Sequence, residues 1–280
     1  MTQQFPSVTL NDANTMPQIG LGVRKANDGQ EVESAVKTAI QTGYRLIDTA
    51  MVYQNERGVG SAIHESGVSR QDLFITTKLW NSDQGTGKAR PALEASLDRL
   101  GLDYVDLYLI HWPTPARGLY VETWQELIKL QQDGLVKSIG VSNFQIEHLE
   151  ELKKHTSVVP AVNQIELHPY FQQRELRDYC ARNNIQVESW SPIGGSKGDV
   201  LQNDEIVNIA TSYGKSPAQI VIRWHLQNGL VVIPKSTNTG RIKENFEVFD
   251  FELSSDEMKT LDSLHMGKRF GLDPDTMNNS

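Results

Sequence analysis

Four side chains suited to acid–base chemistry follow three short apolar segments of the chain. They are Asp48 and Tyr53 after RLI, Lys78 at the end of LFITTKL, and His111 after VDLYLI. Together they supply a carboxylate, a phenol, an ammonium group and an imidazole. If the three segments are neighbouring parallel strands, their carboxyl ends bring these groups to one edge of a sheet or barrel.

This combination suits proton transfer to a carbonyl oxygen. An ordinary phenol has a pKa of about 10, so Tyr53 could act as a general acid near neutrality only beside a cation that stabilises its phenolate. Lys78 is the candidate cation, with Asp48 keeping it protonated and oriented. A neutral His111 could hydrogen-bond the substrate oxygen. An interior salt bridge and an ordinary buried histidine explain the same residues, and the residues alone leave both interpretations open.

The elements that must position these groups are visible as eight short apolar runs. The runs are PQIGLG near residue 20, RLIDTA from Arg45, LFITTKL from Leu73, VDLYLIHW from Val105, KSIGVSN from Lys137, AVNQIEL from Ala161, QVESWS from Gln186 and VVIPKS from Val231. Stretches with helical spacing separate several of them, namely EVESAVKTAIQTG, PALEASLDRLG, VETWQELIKLQQDG and QIEHLEELKKH. Repeated βα units with strands that are apolar on both faces predict an α/β fold, a (β/α)8 TIM barrel.

Further segments depart from a plain eightfold repeat. SVTL and TMPQ flank residues 11–14 and predict a hairpin that could close the barrel floor. Residues 203–213 and 217–227 both read as helices, one more than the repeat needs, and RIKENFEVF and SSDEMKTLDSL predict two more. The tail over 265–280 reads as a loop. Since no low-complexity linker interrupts the chain, we expect residues 1–280 to form a single domain.

Polar side chains end nearly every predicted strand. Besides the four above, they are Ser142, Asn143, Gln164, Glu166, Ser191, Lys235 and Ser236. A solvated or capping role would explain any one of them. Their recurrence at equivalent places instead indicates a functional site at the carboxyl ends of the strands.

Composition excludes several classes of function. The 280 residues carry 27 Lys and Arg against 35 Asp and Glu, a net charge of −8, which disfavours a nucleic-acid partner. No apolar run reaches membrane length, and MTQQFPSVTL lacks the basic and apolar regions of a signal peptide, so neither a membrane helix nor a signal peptide is expected. Its single cysteine, Cys180, rules out an intrachain disulfide and is expected to be a buried, inert thiol. We expect a cytoplasmic protein, and a monomer.

Several familiar motifs are missing from the sequence. It contains no HExxH zinc motif, no GxSxG nucleophile elbow, no Walker loop and no GxGxxG turn. No metal site is expected. A dinucleotide could still bind through the last two strands of a barrel.

Seven segments resemble the aldo-keto reductases. They are DTAMVYQNERGVG, LFITTKLW, DYVDLYLIHWP, KSIGVSNF, NQIELHP, ESWSPIG and IPKST, and the match runs from about Ser7 to Arg269. KLWN, VIRWHLQNGLVVIPKS and KRFGLDPD look most like the bacterial 2,5-diketo-D-gluconic acid reductases of that family. The resemblance implies a barrel with an N-terminal hairpin and two extra helices, which reduces aldehydes and ketones with NADPH, cofactor binding first, and needs no metal.

The resemblance also implies roles for individual residues. Asp48, Tyr53, Lys78 and His111 match the catalytic tetrad, with Tyr53 as the proton donor. The positions expected to bind the nicotinamide are Ser142, Asn143 and Gln164 at its carboxamide and Trp190 beneath its ring, with Ser191 next to them. Lys235, Ser236, Thr237 and Arg241 resemble the group that takes the adenosine 2′-phosphate, and Glu244 and Asn245 match contacts to the adenine.

The substrate pocket contains the one departure from the family pattern. Trp80, Trp112 and Phe270 match pocket-lining or lid positions, with ordinary core packing as the alternative. Arg24 stands where relatives commonly have an aromatic residue. Its guanidinium could pair with a substrate carboxylate, or it could turn to solvent and leave a wider pocket.

Three functions compete at this point. The leading one is NADPH-dependent reduction of small carbonyl compounds, such as 2,5-diketo-D-gluconate, methylglyoxal or β-keto esters. The second is an NADP-binding regulatory barrel with little turnover, which the intact tetrad disfavours. The third is a lyase that forms a Schiff base on Lys78, disfavoured by the absence of a sugar-phosphate motif and by the presence of Asp48.

Overall fold

The computed structural model describes residues 6–195 and 199–279 of the chain. It begins with a small antiparallel hairpin of β1 (Ser7–Thr9) and β2 (Thr15–Pro17), in which Ser7 lies opposite Pro17. The predicted N-terminal hairpin is therefore confirmed.

Eight parallel strands follow the hairpin. They are β3 (Gly20–Gly22), β4 (Leu46–Asp48), β5 (Phe74–Leu79), β6 (Val105–Ile110), β7 (Val136–Ser142), β8 (Val162–Glu166), β9 (Gln186–Trp190) and β10 (Val231–Val232). They lie side by side in chain order. Bridges from Ile19 to Val232 and from Gly22 to Lys235 join the first strand to the last. The sheet thus closes into the predicted (β/α)8 barrel.

Ten α-helices lie in the part of the chain that the structure describes. They are α1 (Gln30–Thr42), α2 (Glu56–Glu65), α3 (Ala89–Leu100), α4 (Tyr120–Gln132), α5 (Ile146–His155), α6 (Arg174–Arg182), α7 (Asp204–Tyr213), α8 (Pro217–Gln227), α9 (Thr239–Phe246) and α10 (Ser255–Ser263). The helices α7 and α10 are additional to the repeat, as the sequence predicts. None of the helices in these ranges is long and apolar enough to cross a bilayer.

The barrel interior is apolar at its floor and polar at its top. Leu46, Phe74 and Leu107 point inward and pack with Leu10 and Met16, which frame the hairpin turn. The hairpin thus closes the floor. Because side chains alternate along a strand, the residues two or four positions later also point inward, at the carboxyl end.

The outer faces of the strands pack against the helices. Ile47, Ile75 and Tyr108 belong to a second apolar cluster that includes Val36 of α1 and Leu93 of α3. This cluster makes each strand buried on both sides, which explains why the strands read as continuous apolar runs.

The helix predictions were incomplete at α2 and α6. The sequence of α2, ERGVGSAIHE, contains two glycines, which disfavour a helix by about 1 kcal/mol each relative to alanine. The sequence of α6, RELRDYCAR, has only three buried residues, Leu176, Tyr179 and Cys180. Both helices form because tertiary packing outweighs weak local preference.

Two predicted boundaries were too long. The helix predicted from RIKENFEVF ends at Phe246, as α9, before Val248 and Phe249. The strand predicted from VVIPKS ends at Val232, and Pro234, which has no N–H to donate to a neighbouring strand, lies just beyond it. The loop that follows carries Lys235 and Ser236.

We expect Gly60→Ala to destabilise the protein even though alanine is the better helix former. Gly60 lies where α2 crosses α3, and a β-carbon there would overlap the backbone carbonyl of Leu100. Overpacking of this kind costs about 1–3 kcal/mol. Urea unfolding should show the loss, with Arg57→Ala at an exposed position of α2 as the control. Equal or greater stability of Gly60→Ala would contradict the close helix contact.

Candidate active site

A buried ion pair lies at the centre of the site. Asp48 at the end of β4 and Lys78 in β5 point into the barrel, and Lys78 Nζ lies 2.7 Å from Asp48 Oδ1. The same ammonium donates to Asp48 Oδ2 and to the carbonyl of Thr49, each at 2.8 Å. Burial by itself would lower the pKa of Lys78, but the charge of Asp48 and its hydrogen bond to the ammonium outweigh burial and raise that pKa. Lys78 is therefore held as a cation.

Tyr53 lies in a short 3-10 turn, Met51–Tyr53, directly after β4. Its ring centroid is 5.1 Å from Lys78 Nζ and 5.7 Å from the centroid of His111. Burial raises the pKa of Tyr53, and the charges of Lys78 and Arg24 only partly oppose it. The phenol therefore holds its proton in the free protein, while two cations favour its release.

His111 follows β6 and is buried beside the other three groups. Burial, together with the charges of Lys78 and Arg24, holds the pKa of His111 well below its usual range. The imidazole is therefore neutral, as the sequence-based hypothesis requires. The tetrad predicted from the sequence converges at the carboxyl ends of three neighbouring strands.

Two tryptophans flank this histidine. Trp80 packs edge-on against it with ring centroids 5.2 Å apart, and Trp112 lies nearly parallel to it at 6.5 Å. Trp80 is half-buried, whereas Trp112 is buried. Both predicted pocket residues therefore lie beside the tetrad.

A buried asparagine that sequence reasoning missed fixes the loops around the tetrad. Asn55 donates to the carbonyls of Val23 and Ala26 at 3.0 Å and accepts from the Thr49 hydroxyl at 2.8 Å. It thus ties the loop that carries Arg24 to the segment that carries Tyr53. Arg24 itself is exposed and forms no ion pair with any described residue. The sequence contained a signal for a structural role, since an Asn directly before a helix is a common N-cap. The Asn55 side chain does not bond its own helix, however, but the neighbouring loops.

The next strands bring together the residues predicted to contact a nicotinamide. Ser142 donates to the carbonyl of Gln164 at 2.8 Å. Asn143, whose φ of 63° is left-handed, donates to the carbonyl of His111 at 3.0 Å. Trp190 Nε1 donates to Asn143 Oδ1 at 2.8 Å. These bonds fix the side chains of β7 and β9 against the tetrad.

Gln164 connects the tetrad to a carboxyl group that sequence reasoning missed. Gln164 Nε2 donates to Asp48 Oδ2 at 2.8 Å and to Glu188 Oε2 at 2.7 Å. Glu188 is buried in β9, and its Oε1 has no partner among the described residues. Burial and the charge of Asp48 raise the pKa of Glu188 to about 8. A glutamate within a predicted buried strand was itself a signal, because such residues are rarely buried without a partner.

The residues after β10 form a basic surface at the start of α9. Lys235 and Arg241 are exposed, Ser236 is buried and Thr237 half-buried. Asn238 caps the helix by accepting from the backbone N–H of Arg241 at 3.0 Å. Glu244 and Asn245 follow on the same helix, half-buried and buried respectively. Two cations beside a helix N-terminus suit a phosphate dianion, so this set of donors fits the adenosine 2′-phosphate of NADPH.

The C-terminal tail is held against this end of the barrel by a second buried carboxyl group. Glu166 accepts from the backbone N–H groups of Phe270 and Gly271, at 2.6 and 2.8 Å. It also bonds His168 at 3.1 Å, and the His168 ring stacks on Phe270 at 4.7 Å. A side chain at residue 271 would overlap the Trp190 ring, so only glycine lets the tail pass there.

This contact places Phe270 on the side of Trp190 and His168, across the barrel mouth from Trp80 and Trp112. Ser191, predicted next to the nicotinamide, is half-buried in a left-handed turn with φ 49° directly after β9. Sequence reasoning noted Glu166 only as a polar strand end and gave His168 no role.

Comparisons with known proteins agree with this geometry. Residues 18–265 match the model of the Aldo/keto reductase family. The chain is 55% identical over 268 residues to the methylglyoxal reductase DkgA of Salmonella typhimurium, covering 96% of each chain. It is 53% identical over 276 residues to the 9,11-endoperoxide prostaglandin H2 reductase of Trypanosoma cruzi, covering 98% of this chain and 97% of that one. A Gox0644 variant solved in complex with NADPH is similar with a TM-score of 0.93 and 49% identity, over 98% of this chain and 99% of that one.

The chain belongs to the aldo/keto reductase family. It is an NADPH-dependent oxidoreductase that reduces carbonyl compounds, and the regulatory barrel is not supported. The predicted family, fold class, activity and cofactor are confirmed.

We expect Tyr53→Phe to abolish carbonyl reduction while leaving NADPH binding nearly unchanged. The substitution removes the phenolic proton but keeps the ring beside Lys78 and His111. General acid catalysis contributes about 10²- to 10⁴-fold, which sets the expected loss of kcat. Turnover and fluorescence titration with NADPH would measure the two effects separately.

The matched control is Tyr104→Phe, which removes a phenolic hydroxyl group at the opposite end of the barrel. Arg70 and Lys137 pack on that ring. It should keep full activity. Turnover of Tyr53→Phe above about a tenth of the wild-type value would exclude Tyr53 as the proton donor.

Proposed function

We propose that this reductase acts on small aldehydes and ketones, methylglyoxal and keto acids among them, with Tyr53 as the proton donor. The observation that carries the proposal is the buried Asp48–Lys78 pair beside a protonated phenol and a neutral imidazole. The 55% identity to a protein named methylglyoxal reductase supports the substrate class. Loss of NADPH absorbance across methylglyoxal, 2,5-diketogluconate, β-keto esters and aromatic aldehydes tests it.

The proposed mechanism assigns one task to each member of the tetrad. His111 hydrogen-bonds the substrate oxygen and fixes the carbonyl near Tyr53. Bound NADPH supplies the hydride that the carbonyl carbon receives. Tyr53 gives its proton to the oxygen, so the product is an alcohol, and Lys78 stabilises the phenolate until solvent returns a proton. Asp48 keeps Lys78 charged and aimed at the phenol.

The cofactor contacts are also part of the proposal. Ser142, Asn143, Gln164, Trp190 and Ser191 would surround the nicotinamide. The hydrogen bonds that join the first four of them beside His111 support this placement. The adenosine end would lie at the basic surface after β10. The residues proposed there are Lys235, Ser236, Thr237, Arg241, Glu244 and Asn245.

We also propose a cytoplasmic monomer with residues 1–280 as one domain and no nucleic-acid partner. One barrel sheet and one outer apolar cluster that reaches from Ile19 to Leu261 support a single domain. Burial raises the pKa of Cys180 to about 12, which makes it the inert thiol expected from the sequence. The net charge of −8 disfavours binding to a phosphate backbone.

We expect Arg241→Ala to weaken NADPH binding while hardly changing NADH binding, because only NADPH carries the 2′-phosphate. A charge-assisted hydrogen bond contributes about 1.5–3 kcal/mol, so the NADPH dissociation constant should rise roughly ten- to a hundredfold. Fluorescence titration with both cofactors measures this. Lys243→Ala, an exposed cation on the same helix, is the control. Equal weakening for both cofactors would mean that Arg241 contacts another part of the molecule.

Arg24 gives a prediction about substrate charge. Its charge reaches both Tyr53 and His111, lowering the pKa of each, so a substrate carboxylate at this edge of the site would lie beside the guanidinium. Arg24→Trp should then lower kcat/KM for an anionic keto acid by about fivefold, roughly 1 kcal/mol for a partly exposed ion pair. The methyl ester of the same keto acid should be reduced as well as before.

The matched control is Arg24→Lys, which keeps the positive charge and should retain most of the activity on the keto acid. If the acid and its ester respond alike to Arg24→Trp, position 24 sets the pocket volume rather than the charge.

A further inference from the structure

The amide of Gln164 has only one orientation that its surroundings allow. Both hydrogens of Nε2 are taken, one by Asp48 Oδ2 and one by Glu188 Oε2. If the amide were turned over, its oxygen would face the Asp48 carboxylate, which has no hydrogen to donate, and the amide hydrogens would lose both acceptors. The two acidic groups therefore determine where the amide oxygen points.

The free end of this amide is a hydrogen-bond acceptor. Gln164 Oε1 accepts no hydrogen bond from any described residue. This oxygen also keeps some solvent-accessible surface. It is thus available to a donor at the barrel mouth, beside Ser142, Asn143 and Trp190. The carboxamide NH₂ of a nicotinamide is such a donor.

The chemistry of the tetrad accounts for Asp48 but gives no role to Glu188, the second acceptor of the Gln164 amide. Asp48 is already bound by Lys78, whereas the one hydrogen-bonded oxygen of Glu188 contacts only Gln164. The charged groups that bear on it are Asp48 and Lys78. Burial and the charge of Asp48 raise the pKa of Glu188, so a second anion beside Asp48 is disfavoured.

We propose that Glu188 is a positioning residue for the cofactor, which together with Asp48 holds both N–H groups of Gln164 inside the barrel and presents Gln164 Oε1 to the nicotinamide carboxamide. This inference rests on the proposed placement of the nicotinamide beside Gln164. Glu188 acts through Gln164 and does not touch the reacting atoms.

The test compares NADP⁺ with its 3-acetylpyridine analogue, in which a methyl group replaces the carboxamide NH₂. Dissociation constants are measured by tryptophan fluorescence on the full-length protein. The wild type should bind NADP⁺ about tenfold more tightly than the analogue, because the analogue leaves Gln164 Oε1 without a donor. In Glu188→Leu the Gln164 amide loses an acceptor and can turn, so this preference should fall to nearly one.

Controls separate a specific effect from a damaged protein. Glu188→Gln keeps an acceptor oxygen of the same shape and should retain the preference. Thr76→Val alters a buried residue that lies opposite Asp48 in the neighbouring strand and makes no bond to Gln164, and it should also retain it. Binding of 2′,5′-ADP, which lacks the nicotinamide, should be equal in all variants. Glu188→Met, unbranched and apolar, replaces Glu188→Leu if the latter does not fold.

Each outcome bears on a different claim. A wild type without preference between the two cofactors would overturn the placement of the carboxamide at Gln164, and the inference with it. A tenfold preference that persists in Glu188→Leu would overturn the role of Glu188 alone. Loss of the preference in Glu188→Gln, or equal weakening of 2′,5′-ADP binding in Glu188→Leu, would show that residue 188 supports the barrel rather than the amide.

Discussion

The site depends on one buried ion pair, because a lysine with no exposed side-chain surface must keep its charge inside a barrel. Removing one partner of such a pair typically costs about 3–5 kcal/mol, since the other charge is left uncompensated. Here the ammonium of Lys78 is surrounded by acceptors, two carboxylate oxygens of Asp48 and the carbonyl of Thr49. Asp48 in turn accepts from Gln164. The strands β4, β5 and β8 must keep their register for this network to close, so the chemistry and the barrel are specified together.

The barrel meets this requirement by separating its interior into two levels. The floor is filled by apolar residues and by the hairpin, which keeps water out from below. The polar residues gather above it at the carboxyl ends of the strands, where loops can reach them. The buried Asn55 then fastens the two nearest loops to each other, so that Tyr53 meets Lys78 from above. Apolar packing at the barrel floor and hydrogen bonds at the carboxyl ends of the strands therefore hold the geometry of the site together.

The strands and the tetrad could be predicted from the sequence because their signals are local. An apolar run that ends in Asp, Lys or His predicts both a strand and the polar side chain at the carboxyl end of that strand. Helices α2 and α6 gave weak signals, since glycine-rich or highly charged segments become helical only when packed. The roles of Glu188 and Glu166 depend on partners far along the chain, Gln164 and the backbone of Phe270. Which distant groups meet is a property of the closed barrel, and no local pattern encodes it.

The proton affinity of Tyr53 is then a balance that the fold sets rather than a property of the residue. Burial raises its pKa, the cations of Lys78 and Arg24 lower it, and Asp48 raises it again. Burial and Asp48 also raise the pKa of Glu188, which disfavours a further negative charge that would work against the phenolate. A substrate carboxylate paired with Arg24 would cancel part of that residue's effect on the phenol. Recognition of an anionic substrate and activation of the Tyr53 phenol therefore both depend on the positive charge of Arg24. Lys78 also lowers the pKa of Tyr53, and because it is buried within the barrel no substrate can neutralise its charge.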